Sequence, residues 1–299
     1  MEGTLSHQGN TPTMKRFRYL MLAFLVVTAG ANAVVIRSDV PDSKYLVSES
    51  ALPALADLPM EGHGTLIAKR WVLTAAHAVQ MMITMPEHRY VTIAGKHRAV
   101  ARIIVYPDFP KSWTQWSQLV KHMKTEDPSA WMAGFESYRA AMHDIALLEL
   151  AKPVEAVEPV KLYLRPDELG RVVEIFGRGA TGNSLTGAAP DAPHRTQLRR
   201  AFNRIAAAKN QWLYYTFDCG STALPLEGMT ASGDSGGPVL INDHGTWKLA
   251  GIAQGLDGTK SDLLAMRAGT FRMGACGQVV SSTRVSFYAR WIEDTIKSQ

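Results

Sequence analysis

The chain has 299 residues, of which 46% are hydrophobic and 20% are charged, so it can bury a sizeable core. This composition excludes an intrinsically disordered chain and a collagen-like repeat. The formal net charge of +5 is not gathered into a basic run, and we therefore expect no nucleic-acid partner. The 24 glycines and 15 prolines indicate many turns, which favours a β-rich fold.

The N-terminal segment has the pattern of a secretory signal peptide. Three basic residues at 15–18 precede the apolar stretch 20–27, and Ala31 and Ala33 are small residues at the two positions that a signal peptidase reads. We predict that residues 1–33 are an N-terminal extension and signal peptide, cleaved after Ala33. A membrane anchor is the alternative, but the apolar stretch is shorter than the ~20 residues that span a bilayer. We therefore expect an exported protein, periplasmic or extracellular, with no membrane association after cleavage.

Beyond residue 33 the sequence alternates strand-length apolar runs with turn residues. The runs are rich in β-branched and aromatic residues and are bounded by Gly, Pro, Asp or Lys, which predicts β-strands. They cover 65–67, 71–74, 90–94, 99–105, 145–150, 172–176, 200–205, 212–217, 238–241, 247–252 and 279–285. This organisation predicts an all-β sandwich or barrel.

Two segments have helical rather than strand periodicity. Apolar residues recur at helical spacing from Trp113 to Met123, and a second helical stretch begins at Asp127. We therefore predict an inserted helical loop over 112–142. The stretch 287–296 places its apolar residues on one helical face, which predicts a C-terminal helix packed on the body.

The segment Gly233–Pro238 has the pattern of a nucleophile turn, with Ser235 among glycines. Glycine adopts the backbone angles of a tight turn, so the serine hydroxyl can be exposed. The N–H groups of Gly233 and Ser235 can then converge on one point, as the stabilisation of an oxyanion requires. A serine hydroxyl is a weak nucleophile and needs both a base and a group that orients the base. Alone, the segment is also compatible with an inert serine in a glycine turn.

Two further motifs supply the missing groups, because His77 follows one apolar strand and Asp144 begins another. With them, the chain resembles the chymotrypsin/trypsin family of serine proteases. The family's three motifs match Thr74–His77, Asp144–Leu148 and Gly233–Pro238, in the family's order. The resemblance covers almost everything after the signal peptide except the helical insertion, and it indicates a secreted, bacterial-type member with few disulfides.

The resemblance implies an all-β fold of two six-stranded antiparallel β-barrels, with the active site between them. The first barrel, over 34–157, would carry His77 and Asp144. The second, over 158–299, would carry Ser235 and end in the C-terminal helix. The helical insertion is either a surface decoration or an overhang that restricts substrates.

The resemblance also implies the role of each site residue. Ser235 attacks the scissile carbonyl to form an acyl-enzyme, His77 moves the proton, and Asp144 orients the imidazole. The N–H groups of Gly233 and Ser235 form the oxyanion hole. We expect protein or peptide substrates, a monomer, and neither a cofactor nor a metal.

The family's primary specificity pocket has its base at the position of Met229. A thioether cannot pair with a buried cation, so we predict an uncharged, small-to-medium apolar residue before the scissile bond. Thr230 and Val280 would line the walls. Gln254 stands where the family commonly has a serine that supports the catalytic aspartate.

Activation in the family uses a new N-terminal amine, which pairs with the aspartate before the catalytic serine, here Asp234. Removal of the signal peptide would expose such an amine at Val34; cleavage a few residues later is the alternative. Cys219 resembles the family's cysteine upstream of the serine loop, and Cys276 lies near a cysteine that has another partner in the family. We hypothesise a Cys219–Cys276 disulfide, which export to an oxidising compartment permits.

Two other functions are compatible with parts of the sequence. One is a catalytically silent, protease-like binding protein. The other is an α/β-hydrolase esterase, whose nucleophile motif also fits the segment around Ser235. That fold orders its residues Ser, Asp, His, whereas the last histidine here, His244, follows Ser235 too closely for an intervening Asp segment.

Overall fold

A computed structural model of the chain describes residues 34–188 and 195–298. The predicted signal peptide, 1–33, lies outside the described residues. The described part contains two closed barrels of six antiparallel strands each, so the predicted fold class is confirmed. Each predicted strand run lies in an observed strand, with ends that differ by a few residues.

The strands, numbered in chain order, are β1 (Val34–Ile36), β2 (Leu55–Asp57), β3 (His63–Ala68), β4 (Trp71–Thr74), β5 (Tyr90–Ile93), β6 (Lys96–Val105), β7 (Ala146–Leu150), β8 (Val172–Gly177), β9 (Thr181–Asn183), β10 (Gly187–Ala188), β11 (Arg199–Lys209), β12 (Trp212–Thr216), β13 (Gly228–Met229), β14 (Pro238–Asp243), β15 (Thr246–Leu256) and β16 (Val279–Arg284). The first barrel has the order β2-β3-β4-β7-β6-β5, and the second has the order β11-β12-β16-β15-β14-β8. The short strands β10, β9, β1 and β13 form a separate sheet in that order.

Alternation along the strands divides the core into layers. Successive side chains of a strand point to opposite faces, so neighbours in sequence enter different clusters. On β4, Val72 packs inside the first barrel, while Leu73 packs in the cluster shared by the two barrels. Leu148 and Leu147 of the paired strand β7 divide in the same way. The shared cluster, with residues from both barrels, holds the two barrels together.

The predicted insertion is helical. Its helices are α2 (Phe109–His122) and α3 (Pro128–Ala141); the earlier helix α1 (Gln80–Thr84) is a single short turn that we did not predict. The side chain of Asp127 accepts hydrogen bonds from the N–H groups of Ser129 and Ala130, which caps α3 as the Asp-Pro pair indicates. Trp131 and Phe135 of α3 are buried against the first barrel's core.

One further helix, α4 (Lys260–Ala268), was missed by the periodicity analysis because it is short and only weakly amphipathic. Its start carries a recognisable signal, since Thr259 and Asp262 form a capping box. The C-terminal helix is observed as α5 (Ala289–Lys297). Phe287, which we placed on its apolar face, lies in the preceding 3₁₀ turn and is half exposed.

Candidate active site

His77 and Asp144 meet because their strands are paired neighbours. Thr74 at the end of β4 lies opposite Ala146 at the start of β7, so the residues just outside these ends approach each other. Nδ1 of His77 lies 2.6 Å from Oδ2 of Asp144, and the main-chain N–H of His77 donates to Oδ1 at 2.9 Å. Asp144 is completely buried.

The pKa of His77 is set by two opposing effects. Burial of the imidazole lowers the pKa, because burial disfavours the charged form. The negative charge of Asp144, its hydrogen bond to the ring and the negative charge of Glu61 raise the pKa, and together they outweigh burial. The net pKa of His77 is therefore above its ordinary value, which suits a base that must hold a proton during a reaction.

The turn that carries Ser235 is fastened to the first barrel by main-chain hydrogen bonds. The N–H of His63 donates to the carbonyl of Ser235 at 2.7 Å, and the N–H of Gly62 donates to that of Gly233 at 3.1 Å. A Cβ on Gly62 would lie 3.2 Å from the Ser235 carbonyl oxygen and 3.4 Å from the Ala78 side chain. The serine turn and the turn that follows His77 therefore meet at Gly62.

Two glycines of the serine turn have backbone angles that other residues rarely adopt. Gly233 has φ of +86° and Gly236 has φ of +79°. A side chain at 236 would also collide with the His63 carbonyl oxygen and the Thr74 hydroxyl. The glycines of the sequence motif thus let the second barrel approach the end of β4 closely.

The predicted specificity residues lie on two elements, Met229 on β13 of the separate sheet and Val280 on β16 of the second barrel. Met229 and Val280 are completely buried in one apolar cluster, and Thr230 is 3% exposed. The disulfide partners Cys219 and Cys276 are joined, with Cα atoms 5.8 Å apart.

Asp234 is completely buried beneath the serine turn. Its Oδ1 accepts a hydrogen bond from the N–H of Gly179 at 2.8 Å, and Oδ2 accepts one from Ala231 at 2.9 Å. Burial raises the pKa of this carboxyl, against the lowering effects of His63 and of the main-chain N–H groups. A carboxylate in such a position needs a cationic partner to stay charged at low energetic penalty.

Val34 lies beside the segments that bind Asp234. It is opposite Thr181 in parallel β9, and the next residue, Val35, is opposite Met229 in antiparallel β13. Gly179 is two residues before Thr181 and Ala231 is two residues after Met229, so the amides that bind Asp234 belong to the same two segments. Val34 has φ of +66°, which is strained for a β-branched residue.

His63 is a site residue that the sequence analysis missed. Its ring is completely buried, with Nδ1 2.9 Å from Oδ1 of Asp57 and Nε2 3.9 Å from Oδ1 of Asp234. It bears no motif, and its neighbours come from distant parts of the chain. No local signal could have found it.

The side chain of Gln254 is hydrogen-bonded to the helical insertion and to β16. Its Oε1 accepts hydrogen bonds from Nη1 of Arg139 at 2.7 Å and from the hydroxyl of Ser281 at 2.9 Å. The Thr283 hydroxyl donates to the main-chain carbonyl of Asp144 at 2.8 Å. Arg139 lies in the helical insertion, and the sequence analysis did not single it out.

Comparison with known proteins identifies the family of this site. The family model described as Trypsin matches residues 47–265, well over half of the chain. The chain belongs to the trypsin family. It is accordingly a serine-type endopeptidase, and proteins or peptides are its substrates.

Curated relatives and a solved structure agree with this assignment. Snake venom serine protease KN6 from Trimeresurus stejnegeri is 27% identical over 294 residues, covering 93% of each chain. Beta-fibrinogenase from Macrovipera lebetinus is 27% identical over 186 residues, covering 60% of this chain and 62% of that protein. Neuropsin, a serine protease expressed in the limbic system of mouse brain, has the same fold, with a TM-score of 0.56 at 19% identity over 84% of this chain and 98% of its own.

Residues 34–188 and 195–298 of this trypsin-family protein hold neither a metal-binding cluster nor a membrane-spanning helix. No group of three or more His, Cys, Asp or Glu residues there could hold a metal ion. No helix in the same residues is long and apolar enough to cross a membrane.

Proposed function

We propose that this trypsin-family protein is an exported endopeptidase whose triad is His77, Asp144 and Ser235. The observation that carries the proposal is the pair of hydrogen bonds by which the buried carboxylate of Asp144 holds His77. Such a pair orients the imidazole and stabilises the imidazolium that forms during acyl transfer.

The proposed reaction follows from these positions. The Ser235 hydroxyl attacks the scissile carbonyl carbon while its proton passes to Nε2 of His77. The resulting oxyanion is bound by the N–H groups of Gly233 and Ser235. The tetrahedral intermediate then collapses, the C–N bond breaks, and the amine leaves with the proton from His77. Water repeats the sequence on the acyl-enzyme and releases the carboxylic acid.

The proposed specificity is for an uncharged apolar residue before the scissile bond. Met229 would form the base of the primary pocket, with Thr230 and Val280 on its walls. The burial of these residues among apolar side chains supports this assignment, because none of them offers a charge to a cationic substrate residue.

The proposed activation step is removal of residues 1–33. The new α-amine of Val34 would pair with the carboxylate of Asp234 and stabilise the serine turn. The pairing of β1 with β9 and β13 supports this step, as does the strained φ of Val34, which a chain end can relax. No second protease would then be needed.

We further propose a division at residues 34–157 and 158–299, one barrel in each part, and a monomeric state. Export is supported by the signal-peptide pattern and by relatives that are venom proteins. The Cys219–Cys276 disulfide, which an oxidising compartment permits, is consistent with export.

Labelling with a fluorophosphonate probe tests the proposed triad. We expect the purified exported protein to begin at Val34 by N-terminal sequencing and to be labelled at Ser235, and we expect the Ser235→Ala variant to remain unlabelled. A folded protein that begins at Val34 and is not labelled would contradict the proposal and would favour a catalytically silent binding protein.

A further inference from the structure

Two adjoining cavities lie beside the end of β8, and none of the proposed catalytic residues lines either of them. Their volumes are about 430 Å³ and 480 Å³, within the range of about 300–1,000 Å³ that is typical of small-molecule sites. Residues within 46–57 and 195–198 line both of them. The cavities share four lining residues, Glu49, Arg178, Arg195 and Leu198.

The cavity of about 430 Å³ combines apolar walls with the two arginines. Its apolar side chains come from β2 and the segment before it, from the turn between β5 and β6, and from the segment before β11. They are Leu52, Pro53, Leu55, Ala94 and Leu198. Sites for small molecules are mostly apolar, with a few polar groups that fix the orientation of the ligand. This cavity can therefore bury an apolar group while a charged group of the same ligand reaches an arginine.

Arg178 has donor groups left over for a ligand. Its side chain is 13% exposed, with Nη1 donating to the carbonyl of Thr196 at 3.1 Å and Nη2 lying 3.0 Å from Oε1 of Glu49. Nε lies 3.6 Å from Oδ2 of Asp57, but this buried N–H has no hydrogen-bond partner among the residues that the structure describes. A buried donor without a partner is costly, so a ligand that accepts its hydrogen bond gains affinity.

Glu49 marks the place that a ligand carboxylate would take. It lies in a 3₁₀ turn, and its side chain is 72% exposed, so its ion pair with Arg178 is screened by water and contributes little to stability. A carboxylate held among the apolar walls is screened less and binds the guanidinium more strongly. The planar guanidinium can also bind a carboxylate through two parallel hydrogen bonds. A ligand carboxylate can therefore displace Glu49.

The charges around Asp57 favour an additional anion. His63, Arg178 and Arg195 all contact this one carboxylate, with Nη1 of Arg195 3.2 Å from Oδ1. Burial lowers the pKa of Arg195, and the neighbouring charge of Arg178 lowers it further, while Asp57 and two other carboxylates raise it. The net pKa of Arg195 is lowered, so these carboxylates do not fully compensate its burial. A second carboxylate in the cavity would balance the two guanidinium groups.

The main chain of Arg178 leads from the cavities to the serine turn. Its N–H donates to Nε2 of His63 at 3.2 Å, and the N–H of the next residue, Gly179, donates to Oδ1 of Asp234 at 2.8 Å. A Cβ on the preceding residue, Gly177, would collide with the same carboxylate. The residues on both sides of Arg178 therefore pack on the aspartate beneath Ser235.

Arg195 also contacts a segment that holds the serine turn. Its Nη2 donates to the carbonyl of Gly62 at 2.9 Å and also to the carbonyl of Leu58. The N–H of Gly62 in turn donates to the carbonyl of Gly233, the proposed oxyanion residue, at 3.1 Å. A ligand that binds the two arginines is thus one hydrogen-bonded segment away from the proposed oxyanion hole.

We propose that these cavities form an effector site for a small organic carboxylate, separate from the substrate cleft. The ligand carboxylate displaces Glu49 from Arg178, and the apolar part of the ligand packs on Leu52 and Leu55. Occupancy of the site holds the main chain at Arg178 in place, which stabilises the turn above Asp234 and speeds reaction at Ser235. The binding stands by itself, whereas the effect on Ser235 rests on the proposed peptidase function.

Titration calorimetry of the exported protein tests the site without requiring catalysis. The probes are phenylacetate, 3-phenylpropanoate and 4-phenylbutanoate, each compared with its uncharged amide. We expect at least one carboxylate to bind about 10-fold more tightly than its amide, as a hydrogen-bonded charge pair predicts. Arg178→Gln should reduce this carboxylate-to-amide ratio to about one. Arg178→Lys keeps the charge but not the planar fork and should reduce the ratio by less, and it serves if Arg178→Gln does not fold.

A variant that tightens binding separates the site from general damage. Glu49→Gln removes the competing carboxylate and should increase the carboxylate-to-amide ratio about 2-fold to 5-fold, the range expected of an exposed ion pair. Glu87→Gln changes an exposed glutamate in another 3₁₀ turn and should leave the ratio unaltered. Arg290→Gln, at a side chain that is 94% exposed on α5, is the corresponding control for Arg178→Gln.

The outcomes distinguish the site from the proposed function. A ratio near one for all three probes would overturn the site, as would an unchanged ratio in the folded Arg178 variants or weaker carboxylate binding by Glu49→Gln. Saturating carboxylate should speed fluorophosphonate labelling of Ser235 about 5-fold, and an unchanged rate would overturn the coupling alone. No labelling with or without the carboxylate, together with a ratio that depends on Arg178, would contradict the peptidase function and leave the binding site supported.

Discussion

The carboxylate of Asp144 binds His77 through both of its oxygens, Oδ2 to the ring Nδ1 at 2.6 Å and Oδ1 to the main-chain N–H at 2.9 Å. These two hydrogen bonds from the buried Asp144 carboxylate fix both the plane and the position of the His77 ring. The same carboxylate raises the pKa of the imidazole against the effect of burial. Asp144 therefore controls both the orientation and the protonation of His77, the proposed base.

This relationship predicts the pH dependence of activity. His77 accepts a proton only when neutral, so kcat/KM should rise with pH through an apparent pKa above the ordinary histidine value of about 6.5. Asp144→Asn should lower this apparent pKa and reduce kcat about 10⁴-fold. Rate measurements from pH 5 to 9 check both expectations. His88→Gln, a change in a 3₁₀ turn that has no buried residue, is the control and should leave the profile unaltered.

The raised pKa of His77 makes activity rise with pH, but it makes the stability of the folded protein fall with pH. Because the folded-state pKa of His77 is raised, its stabilising contribution is full below the unfolded-state pKa and is lost as pH rises through the folded-state pKa. His77→Ala should therefore reduce the free energy of unfolding more at pH 5 than at pH 9, as urea denaturation measures. An equal loss at both values would contradict a raised pKa.

Gly236 should be intolerant of a side chain. Alanine there must adopt a φ near +79° and also displace the His63 carbonyl or the Thr74 hydroxyl. We expect Gly236→Ala to slow fluorophosphonate labelling more than 100-fold and to lower Tm. Gly245→Ala is a matched control, because Gly245 has φ of +85° but open space around its Cα. The Gly245→Ala variant should lose about 1–2 kcal/mol of stability and should be labelled at the normal rate. Equal labelling rates for the two variants would argue against the close approach at Gly236.

The disulfide should contribute strongly to stability. It links residues separated by 57 positions, and closing a loop of this length in the unfolded chain is worth about 4 kcal/mol in the chain-entropy treatment. The Cys219→Ser, Cys276→Ser double variant should lose about 2–4 kcal/mol in guanidinium denaturation. Two free thiols titrating in the native, unreduced protein would contradict the pairing.

The base of the primary pocket should exclude cationic residues. We expect peptides with leucine or methionine before the scissile bond to be cleaved with kcat/KM at least 100-fold higher than those with arginine, because Met229 leaves a buried guanidinium unpaired. Met229→Asp should shift the preference towards arginine and lysine, while Met229→Leu should keep it apolar. Efficient cleavage after arginine by the unmodified protein would refute the assignment.

Activation by the Val34 amine should appear as loss of activity at high pH. An α-amine has an ordinary pKa of about 7.7–8.0, and pairing with a buried carboxylate raises it. The cation stabilises the active form below that raised pKa, so labelling should fall as pH rises through it. Asp234→Asn should label slowly at every pH. Rapid labelling of protein that retains Ala33 would rule out this step.

Local motifs were sufficient for much of the proposed site. His77, Asp144 and Ser235 each lie at the end of an apolar strand, and a strand end can be recognised from a short window of sequence. The helices of the insertion were recognisable because a 3.6-residue periodicity is also local. The strands β1, β2, β9, β10 and β13 were not recognisable, since two or three residues carry no periodicity.

The sequence by itself determined the three motifs at the strand ends, their order along the chain and the uncharged residue at 229. The tertiary structure alone decided which distant groups surround that chemistry. His63 lies against Asp234, and Arg139 joins the insertion to Gln254 and Asp257, because two barrels and an inserted helix pack on one another. Contacts between segments far apart in the chain depend on register and packing, and neither leaves a pattern in any short stretch of sequence.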